Sequence, residues 1–260
     1  MNISDNYLKS GFIISKIEKI KELNYLTNFI KSNIASFLNL KKKGDLDLNN
    51  LHKYVGKDLN KLRLHLINKL NKDNKFKNYL FEIAKREIFE IIGNELAMQK
   101  NINLSIQCPN DDSSLLPIHS DTWAGNSPFE SVLWVPFVDC SKTKSMFILN
   151  AKKYSKFEKL YKKKEVKSAN DLYSNLKSHI EFVKIKHGEF MLFNQNLPHG
   201  NIVNKSTETR ISLNCRFKSL LSPFDVFNKT HRNIPHFFRP LTTKALTKIG
   251  FNFINSVENK

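Results

Sequence analysis

Apolar residues recur at helical spacing through the first hundred positions and then switch to alternation with polar ones. Phe29, Ile34, Phe37 and Leu38 form a stripe within residues 22–39. Leu51, Leu59, Leu62, Leu66 and Leu70 continue it over 46–71, and Leu80, Ile83, Ile88, Ile91 and Leu96 over 75–98. Gly44 and the polar cluster at 71–74 separate these stretches. From Asn101 the period is two: Ile102, Leu104, Ile106 and Cys108 alternate with Asn103, Ser105 and Gln107, as in a half-buried strand. Strand-like runs follow at 115–119, 130–138, 145–150, 181–185, 189–193, 200–203 and 209–218, interrupted by a polar, helix-prone insert at 151–178. Beyond Ser222 the chain reads as short helices bracketing Pro235 and Pro240. A block of short strands after a helical block predicts an α+β fold, a sandwich or barrel with helices packed outside. The implied organisation is a helical region at 1–100, a β core at 101–220 and a helical extension at 221–260, forming one compact unit.

Composition narrows the function classes. With 40% apolar residues and 20 Phe in 260 positions, the chain has enough material for a packed core, which excludes wholesale disorder. Its formal charge of +18 invites a polyanion-binding reading. Only six of the 42 basic residues are arginine, however, and the lysines accompany an excess of Asn, Ile and Phe, as AT-biased coding would produce. The lysine runs at 41–43 and 162–164 lack the arginine-aromatic interleaving of a nucleic-acid groove, so a solvated lysine surface is preferred. Cys108, Cys140 and Cys215 show no CxxC spacing and read as free, buried thiols in a reducing compartment. No apolar run approaches membrane-spanning length, and residues 11–15 fall short of a signal-peptide core. The expectation is a soluble, cytoplasmic protein of open oligomeric state.

One constellation carries chemistry. His119-x-Asp121 is followed 78 residues later by His199 and, 11 further on, by Arg210. Two imidazoles and a carboxylate hold ferrous iron on one face and leave the opposite positions open. An arginine grips a carboxylate through two parallel hydrogen bonds. The His-x-Asp pair alone is weak, since about 0.3 such pairs arise by chance in this composition. Its context is stronger. GEFMLFNQNLPHGN (188–201) reads as a turn, a buried strand, a Pro-constrained turn and His199 opening the next strand. Residues 210–217 then alternate without a fault: Arg210, Ser212, Asn214 and Arg216 share one face, and Ile211, Leu213, Cys215 and Phe217 the other. The polar face points either to water or into a barrel. In the second case Arg210 needs an anionic partner, because an unpaired buried charge is very costly, and a co-substrate carboxylate would supply one.

The pattern HxD…H…RxS, with Arg at His+11, resembles the non-haem iron, 2-oxoglutarate-dependent dioxygenases, especially the phytanoyl-CoA hydroxylase-like branch. SLLPIHSDTWAGNSPFESVLWVPFVDC, KSMFIL and the stretch 188–217 resemble, more narrowly, oxygenases of sporadic carbohydrate-biosynthesis clusters of the streptomycin type. The resemblance covers residues 102–218. It implies a double-stranded β-helix (jelly-roll, cupin-like) core and oxidation of a substrate carbon with release of succinate and CO2. It also implies Fe(II) on His119, Asp121 and His199, with 2-oxoglutarate as co-substrate. Arg210 and Ser212 would take the distal carboxylate of the keto-acid, while Trp134 and Asn201 match positions lining its pocket. Gln107 faces the same way as Ser105 and is a candidate contact to cofactor or substrate. Residues 146–152 read MFILNAK where many relatives carry a Gly-rich strand ending, so that pocket wall differs.

Substrate assignment is less direct. Trp123, Asn126 and Glu130 follow the His-x-Asp pair in a polar loop that would suit a hydroxylated ligand such as a sugar or nucleotide-sugar. For a nucleotide-linked or phosphorylated sugar, Arg216, Arg232 and Arg239 are candidate anion contacts, against an equal expectation of structural salt bridges. His231 and His236 are the other histidines retained as candidates. Two alternatives stay open: the same chemistry on an acyl thioester, amino acid or nucleobase, and a catalytically inactive barrel binding anions or nucleic acid.

Overall fold

The computed structural model describes residues 2–40, 46–162, 167–224, 232–234 and 236–258. Gly44, the lysine run at 41–43, most of the run at 162–164, His231 and Pro235 lie outside the described residues. In chain order the elements begin with α1 (Ile3–Ser10), β1 (Phe12–Lys16), α2 (Ile20–Phe37), α3 (His52–Val55), α4 (Leu59–Lys72), α5 (Asn74–Glu82) and α6 (Lys85–Ile92). The core strands β2 (Leu96–Gln99), β3 (Asn103–Gln107), β4 (Glu130–Pro136) and β5 (Phe147–Leu149) follow. The insert helices α7 (Tyr154–Lys162) and α8 (Ala169–Leu176) lead to β6 (Ile180–Phe182), β7 (Glu189–Asn194), β8 (His199–Gly200) and β9 (Arg210–Ser219). The chain closes with β10 (Phe238–Thr242) and α9 (Ala245–Glu258).

The helical stripes are core-facing. Leu23, Leu26, Ile30 and Ile34 are the buried side of α2, and Leu62, Leu66 and Leu70 that of α4. Asp73 starts α5 by accepting a hydrogen bond from the backbone N–H of Phe76 at 2.7 Å, which explains why the polar cluster at 71–74 breaks the periodicity. The expected continuous helices over 46–71 and 75–98 are each divided. Gly56, at φ +47, ends α3, and Gly93, at φ +105, ends α6 and turns the chain into β2.

Among the described residues the strands form two sheets that enclose the site. The larger runs β1-β7-β4-β9-β2-β10, with β3 also pairing β9; the smaller runs β6-β5-β8, extended by a single bridge from His119 to His199. This is the jelly-roll arrangement, flanked by helices, that the resemblance implies. Strand β9 pairs with β4 along one edge, and with β3 and then β2 along the other. Its apolar face is buried under the helical layer, with the Phe217 ring 6.1 Å from Phe81 of α5.

Three expectations need correction. The first hundred residues are not wholly helical, since β1 and β2 are strands of the larger sheet. The region after Ser222 contains strand β10, where Pro240 is tolerated because the strand lies at the sheet edge. The run 115–119 forms no strand beyond the His119 bridge. The three cysteines are free and buried. No described helix is long and apolar enough to cross a membrane.

Candidate active site

His119 and His199 face each other across the narrow backbone pair of the smaller sheet. Each backbone N–H donates to the other's carbonyl, at 2.9 and 2.8 Å, and the ring centroids are 4.5 Å apart. His119 Nδ1–H donates to Pro117 O at 2.7 Å and His199 Nδ1–H to Leu197 O at 2.8 Å. The same contact, to the carbonyl two residues back, fixes both tautomers and leaves both Nε2 lone pairs for a ligand. Asp121 does not continue a strand from His119. It opens a 3-10 turn, Asp121–Ala124, anchored by Asp121 N–H donating to Gln195 O at 3.2 Å. The turn still brings Asp121 Oδ1 to 3.7 Å from His119 Nε2. The ligand atoms of His119, Asp121 and His199 all lie within 4.8 Å of one another, compact enough to close on one ion.

The second carboxylate oxygen of Asp121 is held from behind. Arg216 donates to Oδ2 at 2.7 Å, and is itself fixed by Gln195 Oε1 at 3.1 Å and Gln99 Oε1 at 3.3 Å. Gln195 also donates to Glu130 Oε2 at 2.9 Å, closing a buried network of polar side chains. Burial alone would raise the Asp121 pKa. Arg216 and the two histidines outweigh it and hold the carboxyl below its ordinary range. For Glu130 burial wins and its pKa is raised, despite Arg216 and Gln195. Burial pushes His199 down to about 4 against the pull of Asp121, so its ring is neutral at pH 7, as a metal ligand must be.

The triad opens into a cavity of about 360 Å³ that also contains Arg210, Ser212, Trp134, Asn201 and Arg216 in its wall. The inward reading of the polar face of β9 therefore holds. Arg210 donates to Ser105 Oγ at 3.0 Å, while its Nε and Ser212 Oγ are buried without a partner. Burial depresses Arg210 to about 10, and no carboxylate offsets it. Asn201 accepts from Leu116 N–H at 2.7 Å, tying down the segment that leads to His119. Gln107 sits opposite Arg210 in the β3–β9 register but donates to Ile202 O at 2.7 Å and is not part of the cavity wall.

Of the four residues expected to meet substrate, the wall contains only Arg216, and Asp121 already occupies it. Asn126 and Glu130 are enclosed beneath Asp121, bonded to Gln195, instead of forming a covering loop. Trp123 is exposed and stacks on Phe157 of the insert at 5.6 Å between centroids. Arg232 lies over the Phe237 ring at 4.6 Å, and Arg239 reaches Met98 Sδ at 3.8 Å; neither borders the cavity, and His236 is exposed. Sequence reasoning missed Gln99 and Gln195. Their signal was a lone amide at a strand end or turn, which has no distinguishing pattern until β2 is aligned beside β9 and β7 beside β4.

No protein-family model matches the chain, and no curated protein matches it in sequence. Its fold recurs among solved structures. EvdMO1 superposes with a TM-score of 0.56 at 14% identity, over 83% of this chain and 49% of its own. The nickel complex of ThoJ, described as a non-heme monooxygenase, gives 0.52 at 13% identity over 84% and 77%. EctD from S. alaskensis with bound Fe gives 0.50 at 16% identity over 91% and 85%. Likeness at these identities is a likeness of fold.

Proposed function

We propose that this chain is an iron(II)- and 2-oxoglutarate-dependent oxygenase acting on a carbohydrate or sugar-derived small molecule. The observation that carries the reading is the pairing of two sites in one cavity. One is a two-histidine, one-carboxylate cluster with its free lone pairs converging. The other is a buried arginine and a buried hydroxyl, each with an unpartnered polar atom. The donor set suits ferrous iron. The orphaned Arg210 Nε and Ser212 Oγ suit the distal carboxylate of a keto-acid, whose other end would reach the metal.

Iron bound there, with 2-oxoglutarate and dioxygen, would supply the power to oxygenate a substrate carbon as the keto-acid is split to succinate and CO2. This chain's residues would do the holding. Arg216 holds Oδ2 of Asp121, which would leave Oδ1 to hold the metal, and the two backbone carbonyls orient the imidazoles. Trp134 walls the co-substrate end, and Asn201 keeps the 114–116 segment in place. The metal-bound states of ThoJ and EctD, on the same fold, support a metal here. The carbohydrate assignment rests on the sequence resemblance around residues 114–140 and on a cavity wall that mixes amides with apolar groups.

Anaerobic titration with Fe(II) and then 2-oxoglutarate should produce a visible charge-transfer band, and aerobic turnover should yield succinate. Asp121→Ala should lose metal binding, whereas Arg210→Ala should retain metal and weaken the keto-acid step. Wild-type protein that binds neither would refute the proposal.

A further inference from the structure

The cavity contains two amides that neither the metal cluster nor the keto-acid site engages. Asn214 lies between Ser212 and Arg216 on the inward face of β9, opposite Asn103 of β3 on one side and Trp134 of β4 on the other. Asn103 Nδ2 donates to Asn214 Oδ1 at 2.8 Å, and both residues border the cavity. Arg210, Ser212 and Arg216 are buried, whereas Asn214 is half-buried and Asn103 and Leu116 are exposed. The amide pair therefore stands at the mouth, where a substrate enters.

Their mutual bond leaves an unengaged amide N–H group on Asn214 and an unengaged carbonyl oxygen on Asn103. Turning both amides over leaves the same complement, one donor side beside one acceptor side. A hydroxyl group, which donates and accepts, satisfies both. A carboxylate or phosphate satisfies only the donor, and an ammonium only the acceptor. The charges in the wall point the same way. Among the described residues its cations are Arg210 and Arg216. Asp121 neutralises the second, and the keto-acid takes the first. No lysine or arginine of the wall is left to pair with a phosphate.

We infer that Asn103 and Asn214 form the substrate-recognition edge, and that the group they admit is uncharged and hydroxyl-bearing, as in a glycoside, not a phosphorylated sugar. This rests on the oxygenase reading above. It departs from the alternative in which arginines hold a nucleotide-sugar inside the site.

The test titrates anaerobic enzyme, loaded with Fe(II) and 2-oxoglutarate, with neutral methyl glycosides and oligosaccharides. Matching sugar 1-phosphates and nucleoside-diphosphate sugars run in parallel, and the visible band reports each. Neutral members should perturb the band. Asn103→Ala and Asn214→Ala should each raise their Kd about tenfold, the loss of one good hydrogen bond, with the 2-oxoglutarate titration unchanged. A response confined to phosphorylated or nucleotide-linked members overturns the inference, as does silence from every neutral member or wild-type affinity in both variants. Failure of the band to form before any sugar is added counts against the oxygenase reading instead.

Discussion

Replacing Arg210 with methionine should stabilise the ligand-free protein and diminish its response to 2-oxoglutarate. The guanidinium is enclosed, with one hydrogen bond to Ser105 and a buried Nε that has no partner. Burial lowers its pKa from 12.5 to about 10. At about 1.4 kcal/mol for each pH unit, holding this charge without a carboxylate partner costs about 3 kcal/mol. The group is protonated in both folded and unfolded chains below pH 10, so that cost is present throughout the physiological range. Methionine is of similar length and uncharged, and swapping a buried charge for an apolar residue of like volume is neutral or stabilising by about 1–4 kcal/mol. The expected gain is about 1–3 kcal/mol, several degrees of Tm at about 2–4 °C per kcal/mol for a chain of this size. The keto-acid loses a bidentate, charge-assisted pair worth about 3 kcal/mol, about 100-fold in Kd. Thermal unfolding with Mn(II), with and without 2-oxoglutarate, reads both effects at once. A lower Tm for ligand-free Arg210→Met, together with an undiminished 2-oxoglutarate shift, would mean that the guanidinium braces the fold and awaits no anion.

Three further outcomes follow from the same geometry. Arg216→Gln should weaken Co(II) or Fe(II) binding about 10–100-fold by calorimetry, because Asp121 loses the group that orients it; unchanged affinity would show that the network orients nothing. Gly200→Ala should destabilise the fold by about 1–3 kcal/mol in denaturant melts, since a Cβ there would lie 2.6 Å from Leu116 O and 2.9 Å from Pro117 O, backbone atoms with little room to yield. Metal affinity should fall with it, because His199 is the adjacent residue. Stability should decline as pH rises above 9: burial pushes Cys140 to about 11 and Cys215 to about 12, so both stay protonated in the fold while the unfolded chain ionises near 8.5. Each thiol contributes a slope of about 1.4 kcal/mol per pH unit, partly opposed by Lys218, which burial lowers to about 8; a Cys140→Ala, Cys215→Ala variant should flatten the decline in urea midpoints.

Strand β9 was the most legible element, because its period of two runs unbroken from Arg210 to Phe217 and one face must be buried. The histidines and Asp121 were legible as residues but not as geometry. Asp121 reaches the cluster through a 3-10 turn anchored on Gln195, a tertiary contact that spacing does not encode. Strand β2 escaped notice for a different reason. LAMQ consists of good helix formers and follows directly on a helical stripe, so local preference and tertiary pairing disagree there and pairing with β9 wins. Gly93 was the available stop signal. Asn126 and Glu130 read as loop polarity because nothing local reveals that Arg216, 86 residues beyond Glu130, lies behind them.

The helical first third, which carries no chemistry of its own, acts on the site through β9. Arg210, Ser212, Asn214 and Arg216 serve the keto-acid, the substrate mouth and the metal ligand from one strand face, so the whole site depends on a single register. A slip of one residue would turn all four outward and bring Ile211, Leu213, Cys215 and Phe217 into the cavity. Hydrogen bonds to β3 and β4 do not forbid that slip by themselves, since a ladder re-forms in any register. Burial does: the outer face of β9 is fully covered, with Phe217 against Phe81 of α5. At about 1.5–3 kcal/mol for each large apolar side chain, exposing that face would cost several kcal/mol, comparable to the penalty of keeping Arg210 enclosed and unpaired. The helices thus hold in place a polar, desolvated strand face that would otherwise relax toward solvent.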